Sequence, residues 1–306
     1  MAAAGGGSTA LARASVVIVN WNAGTALAAC LASVAAARAA GAEVVLVDNA
    51  STDGSAAAAR AAYPDVRVVE SGANLGFGGG ANRGAATARG EVLVFLNPDA
   101  RALPGAIATL VDALLAVPGA GIAGGGLVDP RGRWAPASAR FAPVPHLLLD
   151  TTVGRLGTRL WRTPRAVDWV YGTFMAVRRD LFRQLGGFDP RYFMYGEDLD
   201  LCWRAARLGA RTILVPAARA VHGGHLSAAQ RFGSTRDAEV ARGEMRFYAV
   251  HGGRRALGAY RALAAGKFGA KALVAGAFHR RRAASYAAVV RACLAFDPAR
   301  EGASGG

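Results

Sequence analysis

The sequence predicts an open α/β fold, a Rossmann-like mixed sheet flanked by helices, continued by a basic helical extension. Between residues 15 and 101 short β-branched runs alternate with Ala-rich stretches of helical length, the rhythm of βαβ units. Those β runs are almost continuously apolar, as strands covered on both faces must be. From Thr235 onward the pattern turns helical and strongly basic.

Taken in order, the strands are expected at Ser15–Asn20, Glu43–Asp48, Val66–Glu70 and Glu91–Leu96. Helices are expected at Thr25–Arg38, Ser55–Ala62, Gly79–Arg89 and Pro104–Val117, the last with Pro in its first turn. Past residue 120 hairpin-like pieces follow, with Asp129-Pro130-Arg131-Gly132 as a turn. Phe141–Pro164 has no clear period and reads as a loop facing the acceptor. Val167–Val177 reads as a strand, Asp180–Leu185 and Asp198–Leu208 as helices, and Arg211–Val215 as the closing strand.

The chain of 306 residues carries a net charge of +15, so its partners are expected to be anionic: nucleic acid, acidic lipid or a phosphorylated substrate. Cys30, Cys202 and Cys293 are widely spaced, which indicates neither a disulfide framework nor a zinc site and fits a reducing, cytoplasmic setting. Residues 1–12 read as a flexible leader and 300–306 as a disordered tail. The greasiest stretch, Ala106–Val128, is broken by Asp112, Pro118 and glycines, so contact with a membrane would be peripheral.

In open α/β sheets ligands bind outside the carboxyl ends of the strands. Here those ends carry Asn20-Trp21-Asn22, Asp48-Asn49-Ala50-Ser51 and Asn97-Pro98-Asp99. No G-x-G-x-x-G follows the first strand, which speaks against a dinucleotide-binding dehydrogenase. The cluster Gly76-Phe77-Gly78-Gly79-Gly80 can let backbone approach a phosphate or sugar. Tyr195-Gly196-Glu197-Asp198-Leu199-Asp200 places three acids in four residues at a helix start, where they serve either as helix support or as chemistry.

Together with Val16–Asn22, Val47–Ser55, Asn74–Asn82, Phe95–Asp99 and the stretch from Gly187-Phe188-Asp189 to Trp203-Arg204, these pieces resemble the inverting family 2 glycosyltransferases of the GT-A fold, in particular the bacterial rhamnosyltransferase-like branch. The resemblance runs over roughly residues 15 to 227 in the family's order. It implies a catalytic domain at 13–234, with a nucleotide-binding part to about 118 and an acceptor part beyond, and an extension at 235–299.

The resemblance implies that Asn20, Asn22, Asp48, Asn49, Ser51, Gly76, Phe77, Asn82 and Asn97 bind the nucleotide sugar, with Gly172-Thr173 as a platform under the donor sugar. Asn97-Pro98-Asp99 resembles the family's D-x-D position with its first Asp replaced by Asn. Asp99 is therefore the expected ligand of Mg²⁺ or Mn²⁺, completed by His222, with His225 as a competitor. Asp198 matches the family's base, Glu197 an orienting neighbour, and Asp200 and Arg204 an acceptor contact or a mutual pair. His146, His251 and His279 have no chemical context in the sequence. A dTDP-linked L-rhamnose donor and a lipid-linked or cell-envelope glycan acceptor, such as one on polyprenyl diphosphate, follow from the same resemblance.

Two other classes are weighed. The charge suits a nucleic-acid- or anionic-surface-binding protein, although no nucleic-acid module or aromatic-basic stripe is present and no specific nucleic-acid partner is expected. Asn97 suits a catalytically silent sugar-nucleotide-binding relative, against which stand Asp198, Asp99 and His222 together. The basic extension is either a solvated face packed on the domain or an interfacial helix pair on anionic lipid.

Overall fold

The computed structural model describes residues 10–141, 163–223 and 232–298. Strands β1 (Ala14–Asn20), β2 (Glu43–Asp48), β3 (Arg67–Glu70) and β4 (Val92–Leu96) pair in parallel in the order β3-β2-β1-β4. Every residue of β1 and β4 is buried, which explains their unbroken apolar sequence. Helices α1 (Thr25–Ser33), α2 (Ala35–Ala39), α3 (Ser55–Ala62), α4 (Gly76–Thr87) and α5 (Ala106–Ala116) supply the crossovers. The helix expected at Thr25–Arg38 is thus broken at Val34, and α4 starts three residues early.

Beyond β4 the sheet becomes mixed. β5 (Ala100–Ala102) leaves the Asn97–Asp99 turn for the far edge, where it pairs antiparallel with β12 (Arg211–His222). Between them lie β6 (Ala120–Val128) and β11 (Phe174–Arg178), in the order β4-β11-β6-β12-β5. The chain from Leu96 to Ala100 reaches at most about 14 Å, whereas four strand spacings in a flat sheet need about 19 Å. The sheet therefore curls and brings its two ends together around the Asn97–Asp99 turn.

Short strands complete the acceptor half. β7 (Trp134–Ala135) pairs with β6 across the expected turn, β9 (Arg165–Val167) pairs with β12, and β8 (Ser138–Ala139) pairs with β10 (Trp169–Val170). The single strand expected at Val167–Val177 is split into β9, β10 and β11, with Tyr171-Gly172-Thr173 a turn. Most of the expected loop, residues 142–162, lies outside the described residues. α6 (Arg179–Gln184) and α7 (Glu197–Arg207) pack behind the mixed half.

The extension comprises α8 (Arg236–Phe247), a π-helical turn (Tyr248–Gly252), α9 (Gly253–Gly276) and α10 (Arg280–Ala295). It has its own apolar cluster, with Met245, Tyr260, Val289 and Phe296 at the centre. α8 is nonetheless locked to the sheet domain: a Cβ on Gly243 would sit 2.3 Å from the Tyr195 carbonyl oxygen. Trp203 of α7 meets Phe247 at 5.5 Å and His251 at 5.9 Å.

The glycines of α4 serve packing. Gly80 and Gly84 rest on Val19, Val17 and Val47, so that α4 lies directly on β1 and β2. Gly76, at φ +73°, would place a Cβ 1.9 Å from the Phe193 carbonyl oxygen. Substituting Gly76→Ala should therefore cost about 2–4 kcal/mol in a denaturant titration. The control Gly54→Ala, at φ +78° with nothing near its Cβ, should cost only about 1–2 kcal/mol. Equal losses would show that backbone conformation, and not the Phe193 contact, sets the cost.

Candidate active site

The first polar cluster is wired together from within. Asn20 is fully buried, and its Nδ2 lies 3.1 Å from Asp48 Oδ1, 3.0 Å from Ser51 Oγ and 2.9 Å from Ser55 Oγ. The Ser51 hydroxyl also accepts from the Asn22 N–H, and Asn22 Oδ1 accepts from the Thr52 N–H. Asn49, 1% exposed, donates from Nδ2 to the Gly76 carbonyl. These bonds fix the strand-end loops against one another, while Asn49 Oδ1 has no hydrogen-bond partner among the described residues.

Asp48 keeps acceptor capacity, because a carboxylate offers about four lone-pair sites and only Asn20 and the Ser51 N–H use them here. Asn22 and Ser51 are half-buried at the opening of the cluster. The role expected of Asn82 is corrected. Its amide donates to the Phe188 carbonyl and accepts from the Phe188 N–H, both at 2.8 Å, which clasps α4 to the segment before the acids. Gly76 is buried within the protein and takes no ligand-facing position, while Phe77 packs edge-on against Phe188 at 5.7 Å.

The second cluster is built by strand register. Antiparallel pairing sets His222 of β12 opposite Ala100 of β5, the residue after Asp99. His222 Nε2 and Asp99 Oδ1 consequently lie 3.2 Å apart, with side chains 9% and 4% exposed. Two ligands at right angles on an ion with bonds of about 2.1 Å are about 3.0 Å apart, so the pair fits one divalent cation. Among the described residues no group of three or more His, Cys, Asp or Glu could hold a metal. The described residues would thus offer two donors, which suits a cation that fills its shell with diphosphate oxygens and water. His225 lies outside the described residues.

The third cluster is tied to the second. β11 pairs with β4 so that Phe174 faces Leu96, and the next residues outward bond as well: the Asn97 N–H donates to the Thr173 carbonyl at 3.0 Å. Beside it the Gly172 N–H donates to Asp198 Oδ2 at 2.8 Å, and the Leu199 N–H donates to Asp198 Oδ1 at 2.8 Å. Gly172 lies between the Phe77 ring and Asp198. A continuous path therefore runs from the Asn97–Asp99 turn through Thr173 and Gly172 to the carboxylate of Asp198.

Burial pushes Asp198 up to about 6, against the downward pull of the Gly172 and Leu199 amides. Burial and then the charge of Asp198 push Glu197 up to about 8. Glu197 is 6% exposed, and no hydrogen-bond donor among the described residues reaches its Oε2. Both neighbouring acids are thus held more basic than exposed carboxylates, Glu197 further than Asp198.

Asp200 faces elsewhere. Fully buried, it accepts from Arg204 Nε at 2.7 Å on one oxygen and meets His251 Nε2 at 2.7 Å on the other. Arg204 further donates to the carbonyls of Leu185 and Gly187. Asp200 and Arg204 therefore form the mutual pair, with Asp200 fully buried and the Arg204 side chain 22% exposed. His251 is the residue that sequence reasoning passed over: 51 residues separate it from Asp200, and no spacing rule joins them. His279 lies on the surface of the extension, and His146 is outside the described residues.

Among the described residues three non-glycines have positive φ: Asn22 at 50°, Ala50 at 58° and Tyr195 at 71°. Each sits in a loop of this site, where held strain commonly accompanies function.

A family profile described as Glycosyl transferase family 2 matches residues 15–186. A Mycobacterium tuberculosis protein named N-acetylglucosaminyl-diphospho-decaprenol L-rhamnosyltransferase is 36% identical over 230 residues, covering 68% of this chain and 75% of its own. The Escherichia coli K12 rhamnosyltransferase WbbL is 51% identical over 59 residues, 19% of this chain and 22% of that protein. The structure of a Pyrobaculum calidifontis mannosyltransferase in complex with GDP-Man and Mn²⁺ superposes with a TM-score of 0.55 at 22% identity, over 92% of this chain and 86% of that one. That likeness shows the GT-A fold.

Glu197 ionises in the unfolded chain near 4.3 and in the folded chain near 8, so its effect on stability is harmless below the first value and grows as pH rises to the second. Glu197→Gln should match the parent in thermal unfolding near pH 4 and exceed it by more than about 1 kcal/mol above pH 8. A constant difference across that range would mean that Glu197 is not held protonated. Asp200→Ala should cost about 3–5 kcal/mol, because it leaves Arg204 uncompensated. His251→Ala should cost about 1–2 kcal/mol, with the whole chain still unfolding in one transition because the Gly243–Tyr195 and Trp203–Phe247 contacts remain; separate melting of the extension would show that the Asp200 contact is what couples the two parts.

Proposed function

Because the chain belongs to glycosyl transferase family 2, we propose that this glycosyltransferase moves L-rhamnose from a dTDP-linked donor to a glycan carried on a polyprenyl diphosphate, with inversion at the anomeric carbon. The observation that carries this reading is the path of two hydrogen bonds, Asn97 N–H to Thr173 and Gly172 N–H to Asp198. It holds a candidate base at a fixed position relative to the Asp99–His222 pair.

The acceptor hydroxyl oxygen forms its bond to the anomeric carbon as the bond from that carbon to the diphosphate oxygen breaks. Its proton passes to Asp198, and the electron pair leaves with the nucleoside diphosphate. Asp198 suits the task because it is more basic than an exposed carboxylate yet ionised at neutral pH. Asp99 and His222 would hold a Mg²⁺ or Mn²⁺ ion, and such an ion, when bound, neutralises charge on the diphosphate. Asn97 lowers the negative charge of that turn, which leaves Asp99 as its carboxylate.

Asp48, Ser51 and Asn22 line the opening above β1 and β2 and would meet the nucleotide, with Gly172-Thr173 under the donor sugar. The donor and acceptor rest on the relatives: those of M. tuberculosis and E. coli are both named rhamnosyltransferases, and the first name specifies a diphospho-decaprenol carrier. The P. calidifontis mannosyltransferase holds GDP-Man and Mn²⁺, which accords with a metal and a nucleotide-sugar donor here.

The test is transfer and donor hydrolysis across a panel of nucleotide sugars with Mg²⁺, Mn²⁺ or chelator, beside calorimetric donor binding. Turnover should be confined to dTDP-rhamnose, require metal, and fall about 10²–10⁴-fold in Asp198→Asn while donor binding persists. Turnover by the parent should drop as pH falls through about 6, where Asp198 takes up its proton. An Asp198→Asn enzyme with parental turnover would remove Asp198 as the base. Donor binding without turnover by the parent in the presence of acceptor would identify a silent relative.

A further inference from the structure

The proximal parts of α9 and α10 pack into the apolar cluster of the extension through Leu257, Tyr260, Ala264, Ala288 and Val289. Beyond them the two helices run on as an unsupported hairpin: from Ala265 to Ala287 no residue is buried. The stretch from Ala264 to Gly276, at about 1.5 Å per residue, carries the hairpin about 18 Å past its last buried side chain in α9.

The end of this hairpin is apolar where it should be polar. Ala272–Phe278 contains no charge, and within it Leu273 is 82% exposed, Val274 70% and Phe278 79%. The three residues stand at one place in the fold, which distinguishes them from scattered surface apolar residues. Cations bracket the run, Lys271 before it and Arg280-Arg281-Arg282 after it. A groove of about 480 Å³ opens between the helices, with Val274 and Phe278 on its apolar wall and Lys271, His279 and Arg282 at its rim.

The charge around the hairpin has one sign. Between residues 245 and 296 the sequence has ten Lys and Arg and no Asp or Glu. Arg246 and Arg261 are engaged internally, on the Tyr192 ring and on the Cys293 and Leu294 carbonyls. At the tip, Lys271 lies over the Phe268 and Tyr286 rings at 5.3 and 5.7 Å, and Arg280, Arg281 and Arg282 are exposed.

We propose that the tip of the α9–α10 hairpin docks on an anionic lipid surface, with Leu273, Val274 and Phe278 entering the headgroup–acyl boundary and Lys271 and Arg280–Arg282 meeting lipid phosphates. An exposed apolar point ringed by cations is the combination that an interfacial anchor requires. Among the described residues no helix is long and apolar enough to cross a membrane, so the hairpin attaches without spanning. A second copy of the chain is disfavoured on the same surface, because its cations would face their own kind. The inference deepens the reading of a lipid-linked acceptor and draws its purpose from it, but its test does not require transfer.

The test is vesicle flotation of the full-length protein with phosphatidylglycerol–phosphatidylcholine vesicles and with pure phosphatidylcholine vesicles. The parent should float with the anionic vesicles only, and less as salt rises. Replacing Arg280, Arg281 and Arg282 together by Ala should weaken binding about a hundredfold, and Leu273→Ala with Phe278→Ala should weaken it about tenfold or more. Both variants should bind nucleotide sugar as the parent does, which separates loss of docking from loss of fold or of the transferase reading. Equal binding to neutral vesicles, or variants that float like the parent, would overturn the proposal. So would a Leu273→Glu change that splits an oligomer and leaves flotation untouched, since the tip would then be a contact between copies.

Discussion

The register between β4 and β11 is the constraint on which the site depends. Pairing Phe174 with Leu96 forces the residue before the first to meet the residue after the second, and the Asn97–Thr173 bond is the result. Once that bond is set, Gly172 stands where its N–H meets Asp198. A slip of one residue would exchange the two buried faces of β11 and separate the carboxylate of α7 from the metal-type pair at β4 and β12. The chemistry is therefore specified by sheet geometry more than by the local preferences of its loops.

The other half of the arrangement comes from curling. The Asn97–Asp99 turn is too short to cross a flat sheet, so β5 and the end of β12 must come round to β4, and His222 arrives beside Asp99. The small residues along β6 permit that closeness, and a bulge lets β12 continue past Pro216. The Asp198 carboxylate, the Gly172-Thr173 turn and the Asp99–His222 pair are then brought together although they are drawn from residues 97 to 222.

Much of this was legible in the sequence where the signal is local. The parallel strands β1, β2 and β4 were readable because burial on both faces writes itself as unbroken Val, Ile and Leu. The acids of Glu197–Asp200 were readable from their density. Elements defined by distant partners were less so. β5 is three residues long and exists only because β12 pairs with it, while β12 reads as finished at Pro216 because proline has no N–H to offer a ladder. The polar residues show the same division: Asn20, Asn49, Asn82, Asp200 and Arg204 have the residue types of a binding site, yet each is committed to a protein partner. Residue type says what a side chain can bond to. Only the fold says which bonds are already made.

The interlock of Gly243 with Tyr195 and Gly196 bears on how the enzyme is made. A ribosome releases the βαβ half first, and that half contains its own core. The Tyr195-Gly196 turn that leads into Glu197 and Asp198 emerges without the helix against which it rests, because α8 begins about forty residues later, a delay of several seconds at ordinary synthesis rates. During that interval a nascent chain can hold a nearly complete sheet while the turn before α7 still lacks its support. The surroundings of Glu197 and Asp198 are thus completed late in synthesis, when α8 closes against the Tyr195-Gly196 turn.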